Sequence, residues 1–339
     1  MSVHTPHTTR PHTTRPHTTR PHTTDPLPFE KDLTWMRAKC LLMLTSLLAL
    51  VVAGCGAADA NPPAAGVQPD VDVLSSLAKD EALAALLPQE VRDAGVVKFG
   101  SSVGSQPPSS YYAEDNKTIL GQDVDVAEAV GRLLGVRIER EVAAFEVILP
   151  ALGSGKYQVG TGNFGVTEAR KKTIDFVTYI NDGQGFAVRA DDNRLPKVQS
   201  LLELCGLKVG TGSGTTFEAT LEKEKHICPD AGKPPYEVLS FSENAAVFLG
   251  LQQRHIDVVM STINGLRYAA ANQPNVNFLG EFKRLDVGFA FRKGSPLAPA
   301  FQAAVNKLIA DGVYQRILDK WGTRDSAIPE SLISPPERT

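Results

Sequence analysis

From Val96 onward, short apolar runs alternate with longer segments whose apolar positions recur every three or four residues. Strands and amphipathic helices are told apart by that period, which is about 2 residues for one and about 3.6 for the other. The pattern predicts a strand over Val96–Gly100 and a helix over Asp125–Leu134, closed by Gly135. A strand follows at Val136–Val142, a helix at Glu146–Ser154 closed by Gly155, and a strand at Tyr157–Thr161. The rhythm resumes with strand Leu207–Gly210, helix Thr215–Lys225, strand Tyr236–Phe241, helix Glu243–Arg254, strand Ile256–Met260 and helix Ile263–Ala271. Phe289–Arg292 reads as a strand, and Pro299–Trp321 as a long helical stretch broken at Gly312. Ahead of all this, Leu74–Ala94 has helical apolar spacing with a break at Pro88. Alternation of this kind predicts an α/β fold with parallel sheets. Its two stretches predict two α/β units, joined near Ile180–Gln184 and again near Lys283–Val287.

The N-terminal third reads differently. Cys40 to Ala53 is an uncharged run, shorter than the roughly 20 apolar residues that a membrane-spanning helix needs. It fits the apolar region of a secretory signal. Val52-Ala53-Gly54-Cys55 ends it and resembles a lipobox, in which the chain is cut before the cysteine and the thiol takes a diacylglycerol. An ordinary buried helix ending at Gly54 is the alternative. Before the run comes a repeat, Pro6-His7-Thr8-Thr9-Arg10, the same five residues from Pro11 and from Pro16, then Pro21-His22-Thr23-Thr24-Asp25. It has no apolar face and cannot build a core. Its histidines, five apart, place no two on one helix face, which argues against a metal tract. The expectation is that translation starts at Met36, whose Arg37 and Lys39 supply a basic start. Residues 1–35 are then an untranslated repeat, 36–54 a signal peptide, 55–72 a flexible tether rich in Ala, Pro and Gly, and 73–94 an N-terminal helical segment.

Cleavage before Cys55 leaves 285 residues with 35 acidic and 29 basic side chains. That balance argues against nucleic acid as a partner. Two histidines remain, His226 and His255, without Cys-x-x-Cys or His-x-x-x-His spacing, so no metal site or cofactor is expected. Cys205 and Cys228 face an oxidising compartment if the chain is exported. They are either a disulfide closing a loop of about 24 residues, worth about 3 kcal/mol, or two free buried thiols.

Several motifs then fall in one order: Gly121-Gln122-Asp123-Val124-Asp125-Val126-Ala127, Ile148-Leu149-Pro150-Ala151-Leu152-Gly153-Ser154-Gly155-Lys156-Tyr157, and Val166-Thr167-Glu168-Ala169-Arg170-Lys171-Lys172 with Ile174-Asp175-Phe176. Gly212-Ser213-Gly214-Thr215-Thr216, Ile256-Asp257, Gly288–Gly294, Asp311-Gly312-Val313-Tyr314 and Lys320-Trp321-Gly322 continue the series. Over about 225 residues the chain resembles the family 3 extracellular solute-binding proteins, receptors of polar amino-acid ABC importers. The resemblance implies a two-lobed periplasmic-binding-protein fold of type II, with a ligand cleft between the lobes and a hinge. It places lobe 1 at 95–182 and 286–324, lobe 2 at 183–285, and a tail at 325–339.

The resemblance implies that Arg170 grips a ligand carboxylate, a task that suits the guanidinium fork. A solvated Arg beside Lys171 and Lys172 is the bland alternative. Thr215 and Thr216 open a helix after a Gly-rich turn, where free N–H groups suit an anion, although Thr215 could serve as an N-cap alone. Tyr111, Tyr112, Phe145 and Phe164 fall near the family's aromatic cleft walls. Ser102, Asn163, Gly165, Ser261 and Thr262 fall at or beside further ligand positions. Three of these depart from the pattern: Thr262 stands where the family's amine-binding Asp is expected, Gly165 where a Ser or Thr is expected, and Ser102 where some members have Asp. The partner for an α-ammonium is therefore missing, unless a carboxylate such as Glu243 or Glu218 serves. Asp123, Asp125 and Glu128 read as helix N-terminal charge and capping, and Asp175 and Glu168 as structural.

The reading is a lipid-anchored extracytoplasmic receptor, not an enzyme, expected to act as a monomer with an ABC permease on an amino acid or related small carboxylate. Exported dehydratases on the same fold are one alternative, and a ligand-sensing module is another. No carboxylate stands at position 262 to support the first.

Overall fold

The computed structural model describes residues 66–338. The repeat at 1–35, the signal at 36–54, Cys55 and the first part of the tether lie outside the described residues.

Two short helices come first, α1 (Glu81–Ala84) and α2 (Gln89–Ala94). The helix expected from Leu74 begins only at Glu81. Asp72 Oδ1 accepts from the backbone N–H groups of Leu74 and Ser75, a local turn that competes with helix. Asp80 then caps α1 by accepting from Leu83 N–H. The chain continues through β1 (Val96–Ser101), β2 (Tyr111–Tyr112), β3 (Ile119–Leu120), α3 (Gln122–Leu134), β4 (Arg137–Val142), α4 (Phe145–Gly153), β5 (Val159–Gly165), α5 (Glu168–Lys171) and the long β6 (Ile174–Arg189). Next are β7 (Lys208–Gly212), α6 (Thr216–Glu224), α7 (Ile227–Asp230), β8 (Glu237–Phe241), α8 (Asn244–Gln252), β9 (Val258–Thr262), α9 (Ile263–Asn272) and the long β10 (Val276–Arg292). The last helices are α10 (Ala298–Ala310) and α11 (Val313–Lys320), separated at Gly312 in the left-handed conformation.

Among the described residues, eight of the ten strands form one sheet in the order β4-β1-β5-β10-β6-β9-β7-β8, and β2 and β3 pair antiparallel as a separate ribbon. β1 runs parallel to β4 and β5, and β7 parallel to β8 and β9, so each end of the sheet is an α/β unit. Between them β6 and β10 pair antiparallel along nearly their whole length. Both strands pass from lobe to lobe, with Ile180 opposite Val287 and Gln184 opposite Lys283.

Lobe 1 is held by a core around Phe99, Phe289 and Phe301, all essentially buried. Their rings meet edge-on or tilted at 5.6–6.3 Å between centroids. Lobe 2 has a core of its own around Phe186, Val209, Leu221 and Met260. Cys205 and Cys228 are joined there as a disulfide. Among the described residues, no helix is long and apolar enough to cross a membrane.

The segment expected as a tail packs against the protein. Ser331 donates to the Thr178 carbonyl, Leu332 N–H donates to Thr178 Oγ1, and Ser334 exchanges bonds with the Phe176 backbone. Ile333 bridges Val177 antiparallel. The segment thus covers the edge of β6 in lobe 1, where unpaired backbone groups would otherwise be left open. Glu337 and Arg338 extend it to Lys283 and Asp286 on β10. Several hydrogen bonds at a net of about 0.5–1.5 kcal/mol each are at stake. Truncation after residue 328 is therefore expected to lower the melting temperature by roughly 4–8 °C. Calorimetry checks this, and an unchanged transition would mean that the segment contributes nothing.

Candidate functional site

The ends of β1, β5, β7 and β9 point into one cleft between the lobes. In open α/β sheets, ligand crevices form outside the carboxyl ends of the strands. The cleft encloses a cavity of about 430 Å³, within the range of about 300–1,000 Å³ for small-ligand sites. The lobes are closed over it. Gln106, after β1, accepts from Gln273 Nε2 at 2.7 Å on the opposite lobe. A Cβ added to Gly214 would stand 2.8 Å from Glu146 Cβ across the cleft.

Arg170 sits on α5, whose N-cap Thr167 accepts from the Arg170 N–H at 3.2 Å. Its guanidinium joins the two lobes, with Nη1 donating to the Gly165 carbonyl at 3.0 Å and Nη2 to the Gly214 carbonyl at 2.9 Å. Phe145 and Phe164 lie beneath it, with ring centroids 5.7 and 5.9 Å from the guanidinium carbon. Burial pushes the Arg170 pKa down to about 10, so the group is charged at neutral pH. Across the cleft, Thr215 caps α6. Its Oγ1 donates to the Gly212 carbonyl at 2.6 Å and accepts from Glu218 N–H at 3.2 Å. Those bonds occupy the Thr215 hydroxyl, and Thr216 and Phe217, the first residues of the helix, line the cavity beside it.

Of the residues singled out in the sequence, Ser102, Tyr112, Phe145, Asn163, Arg170, Thr215, Thr216, Ser261 and Thr262 line the cavity. Tyr111, Phe164 and Gly165 do not. Neighbouring residues of a strand face opposite ways, so Tyr112 reaches the cleft while Tyr111 packs edge-on against Trp321 at 5.9 Å. Phe164 is fully buried under Phe145 at 4.5 Å. Gly165 contributes its carbonyl to Arg170, and a Cβ there would come within 3.3 Å of Thr216 Cγ2. The position therefore has little room for the Ser or Thr expected of the family. Thr262 is the N-cap of α9, accepting from Gly265 N–H at 3.1 Å.

Most of the other carboxylates singled out are engaged elsewhere. Asp125 binds Trp321 Nε1 and Lys320, Glu128 binds Arg140, and Asp175 binds Lys293. Glu218 accepts from Gly214 N–H and Ser240. Glu243 lies at the exposed rim of the cavity. Asp123 stands in the first turn of α3 as expected, but it is 1% exposed and lines the cavity. Burial pushes its carboxyl up to about 6. The charge of Asp182 adds to that, while Tyr179 and Arg140 hold it back. Among the described residues there is no group of three or more His, Cys, Asp or Glu placed to hold a metal ion.

The chain is similar to known proteins over most of its length. The family model for bacterial extracellular solute-binding proteins, family 3, matches residues 98–324. The arginine-binding protein ArgT of Corynebacterium glutamicum is 28% identical over 254 residues, covering 74% of this chain and 82% of its own. The glutamine-binding protein GlnH of a Bacillus subtilis ABC transporter is 28% identical over 297 residues, covering 84% of this chain and 97% of its own. Among solved structures, an ancestral arginine-binding protein bound to arginine superposes with a TM-score of 0.60 at 32% identity, covering 67% of this chain and 98% of its own.

Proposed function

Because the chain belongs to the bacterial extracellular solute-binding proteins of family 3, we propose that it captures an α-amino acid between its two lobes and presents it to the permease of an ABC importer. The observation that carries this reading is Arg170. The residue lines the cleft cavity, and its guanidinium holds only backbone carbonyls. A carboxylate takes a guanidinium by two charge-assisted bonds, which are stronger than bonds to neutral carbonyls. The N-terminus of α6, with Thr216, supplies further donors to the same anion.

The rest of the cavity favours a long side chain with a polar or cationic end. Tyr112, Phe145, Phe241 and Phe248 provide aromatic surface, and Glu243 lies at the rim. A guanidinium or ammonium is attracted to aromatic faces by about 0.5–2 kcal/mol. The arginine- and glutamine-binding relatives agree with such a ligand, and L-arginine is the first candidate. Closure of the lobes about β6 and β10 buries the ligand, and reopening releases it.

The chain acts as a monomer, anchored outside the cytoplasmic membrane by lipid on Cys55 after cleavage of a signal that starts at Met36. Cys55→Ser is expected to move the protein from the membrane fraction to the soluble one. A wild-type protein already soluble would contradict the anchor. The ligand is tested by a thermal-shift screen of the twenty amino acids on protein stripped by unfolding and refolding. Saturation at about 1,000 times Kd adds about 4 kcal/mol, so the true ligand should raise the melting temperature by roughly 8–16 °C. A flat response to all twenty would overturn the proposal.

A further inference from the structure

Arg170, to which the ligand carboxylate is assigned above, stands on a helix with little of its own to hold it. α5 is a single turn of four residues, and its one apolar residue, Ala169, is exposed. A helix that short is marginal without packing, and its first N–H groups need partners from outside. Thr167 caps one of them, the N–H of Arg170. The C-terminal segment caps another. Glu168 N–H donates to Glu337 Oε2 at 2.9 Å, and Glu337 N–H donates back to Glu168 Oε1 at 3.1 Å. At the other end of the turn, Lys171 Nζ donates to the Pro335 carbonyl at 3.0 Å and to Glu168 Oε1 at 2.7 Å. The turn is thus gripped at both ends by residues beyond the stretch 98–324 that the family model matches.

The same residues are tied to the strands that cross between the lobes. Lys283 Nζ, on β10, donates to Glu337 Oε1 at 3.0 Å. Burial pushes the Glu337 carboxyl up, but the Glu168 N–H and Lys283 outweigh it and hold the group below the usual range, so it is ionised at neutral pH. Arg338 Nε donates to Asp286 Oδ1 at 2.8 Å, an oxygen that also accepts from Asn181 Nδ2 on β6. The Asp286 carbonyl in turn accepts from the N–H of Val166, next to the α5 cap. Upstream, Ser331 and Ser334 fix the segment to β6 independently of these contacts.

We propose that Glu337 is a positioning residue for Arg170: with its neighbours it clamps α5 to the crossing strands and so fixes where the guanidinium meets the ligand's carboxylate. The inference rests on the amino-acid reading above. The two parallel bonds of a guanidinium with a carboxylate depend on angle as well as distance. An unclamped turn would leave Arg170 its charge and cost it that alignment. A segment that served lobe 1 alone would matter to melting and not to the grip on the carboxylate.

The test is a double-mutant cycle on the full chain, with Glu337→Ala and Arg170→Ala made singly and together. Affinity for L-arginine and L-glutamine is read by calorimetry, or by thermal shift where binding is weak, and the unliganded fold by thermal melting. Whichever probe binds wild type should bind Glu337→Ala about tenfold more weakly, with melting within about 4 °C of wild type. In the Arg170→Ala background the same change should cost less than about threefold, because no guanidinium is left to align. Equal losses in the two backgrounds would show a merely structural role and overturn the inference. Binding by Glu337→Ala within about threefold of wild type would also overturn it, and either result leaves the amino-acid reading standing. If Glu337→Ala does not fold, Lys283→Ala, which frees the other side of the same carboxylate, takes its place under the same criteria. Failure of wild type to bind any of the twenty amino acids defeats both.

Discussion

Arg170→Ala is expected to weaken ligand binding by about 10²–10⁴-fold while leaving the fold intact. Two charge-assisted hydrogen bonds at about 1.5–3 kcal/mol each would be lost, and each 1.4 kcal/mol is about tenfold in affinity. The unliganded fold depends on Arg170 far less. The side chain meets two carbonyls, and its burial disfavours the charge that it carries. Arg170→Lys keeps a charge but not the planar fork, and should fall between the two. Titration with L-arginine or L-glutamine reads the affinity, and thermal melting reads the fold. Unchanged affinity would take Arg170 out of the site.

Replacing Cys205 and Cys228 together by Ser should lower stability by about 3 kcal/mol, because the bridge closes a loop across 23 positions and restricts the unfolded chain. For a chain of this size that is roughly 6–12 °C in melting temperature. Ligand preference should not change, because neither cysteine lines the cavity. A shift in the ranking of amino acids, with the melting temperature unaltered, would show that the bridge shapes the site rather than the lobe.

Much of this architecture is legible in the chain. Helix and strand alternate at each end of the sheet as the apolar spacing predicts, and the colinear motifs bring Arg170, Thr216 and Phe145 to one cavity. Other features are not, for identifiable reasons. The full lengths of β6 and β10 escape the pattern because their middles carry Asn181, Asp182, Glu281, Lys283 and Arg284 where a strand signal needs alternation. Pairing between the two long strands, a contact far apart in sequence, holds those residues extended. Tyr111 and Tyr112 are indistinguishable without the register of β2, which sends one to the core and one to the cleft. Asp123 carries the ordinary dress of a first-turn carboxylate. Only the tertiary structure shows that Gly121 tucks against Ser109 and draws the helix start, with its acid, under the cavity wall.

The central claim is that a free ligand carboxylate is held at Arg170. Its most direct measurement is a calorimetric comparison of L-arginine with L-argininamide, in which that carboxylate is replaced by a neutral amide, on ligand-stripped protein at pH 7.5. The account predicts saturable one-site binding of L-arginine and at least 100-fold weaker binding of the amide. Equal affinity for the two would contradict it.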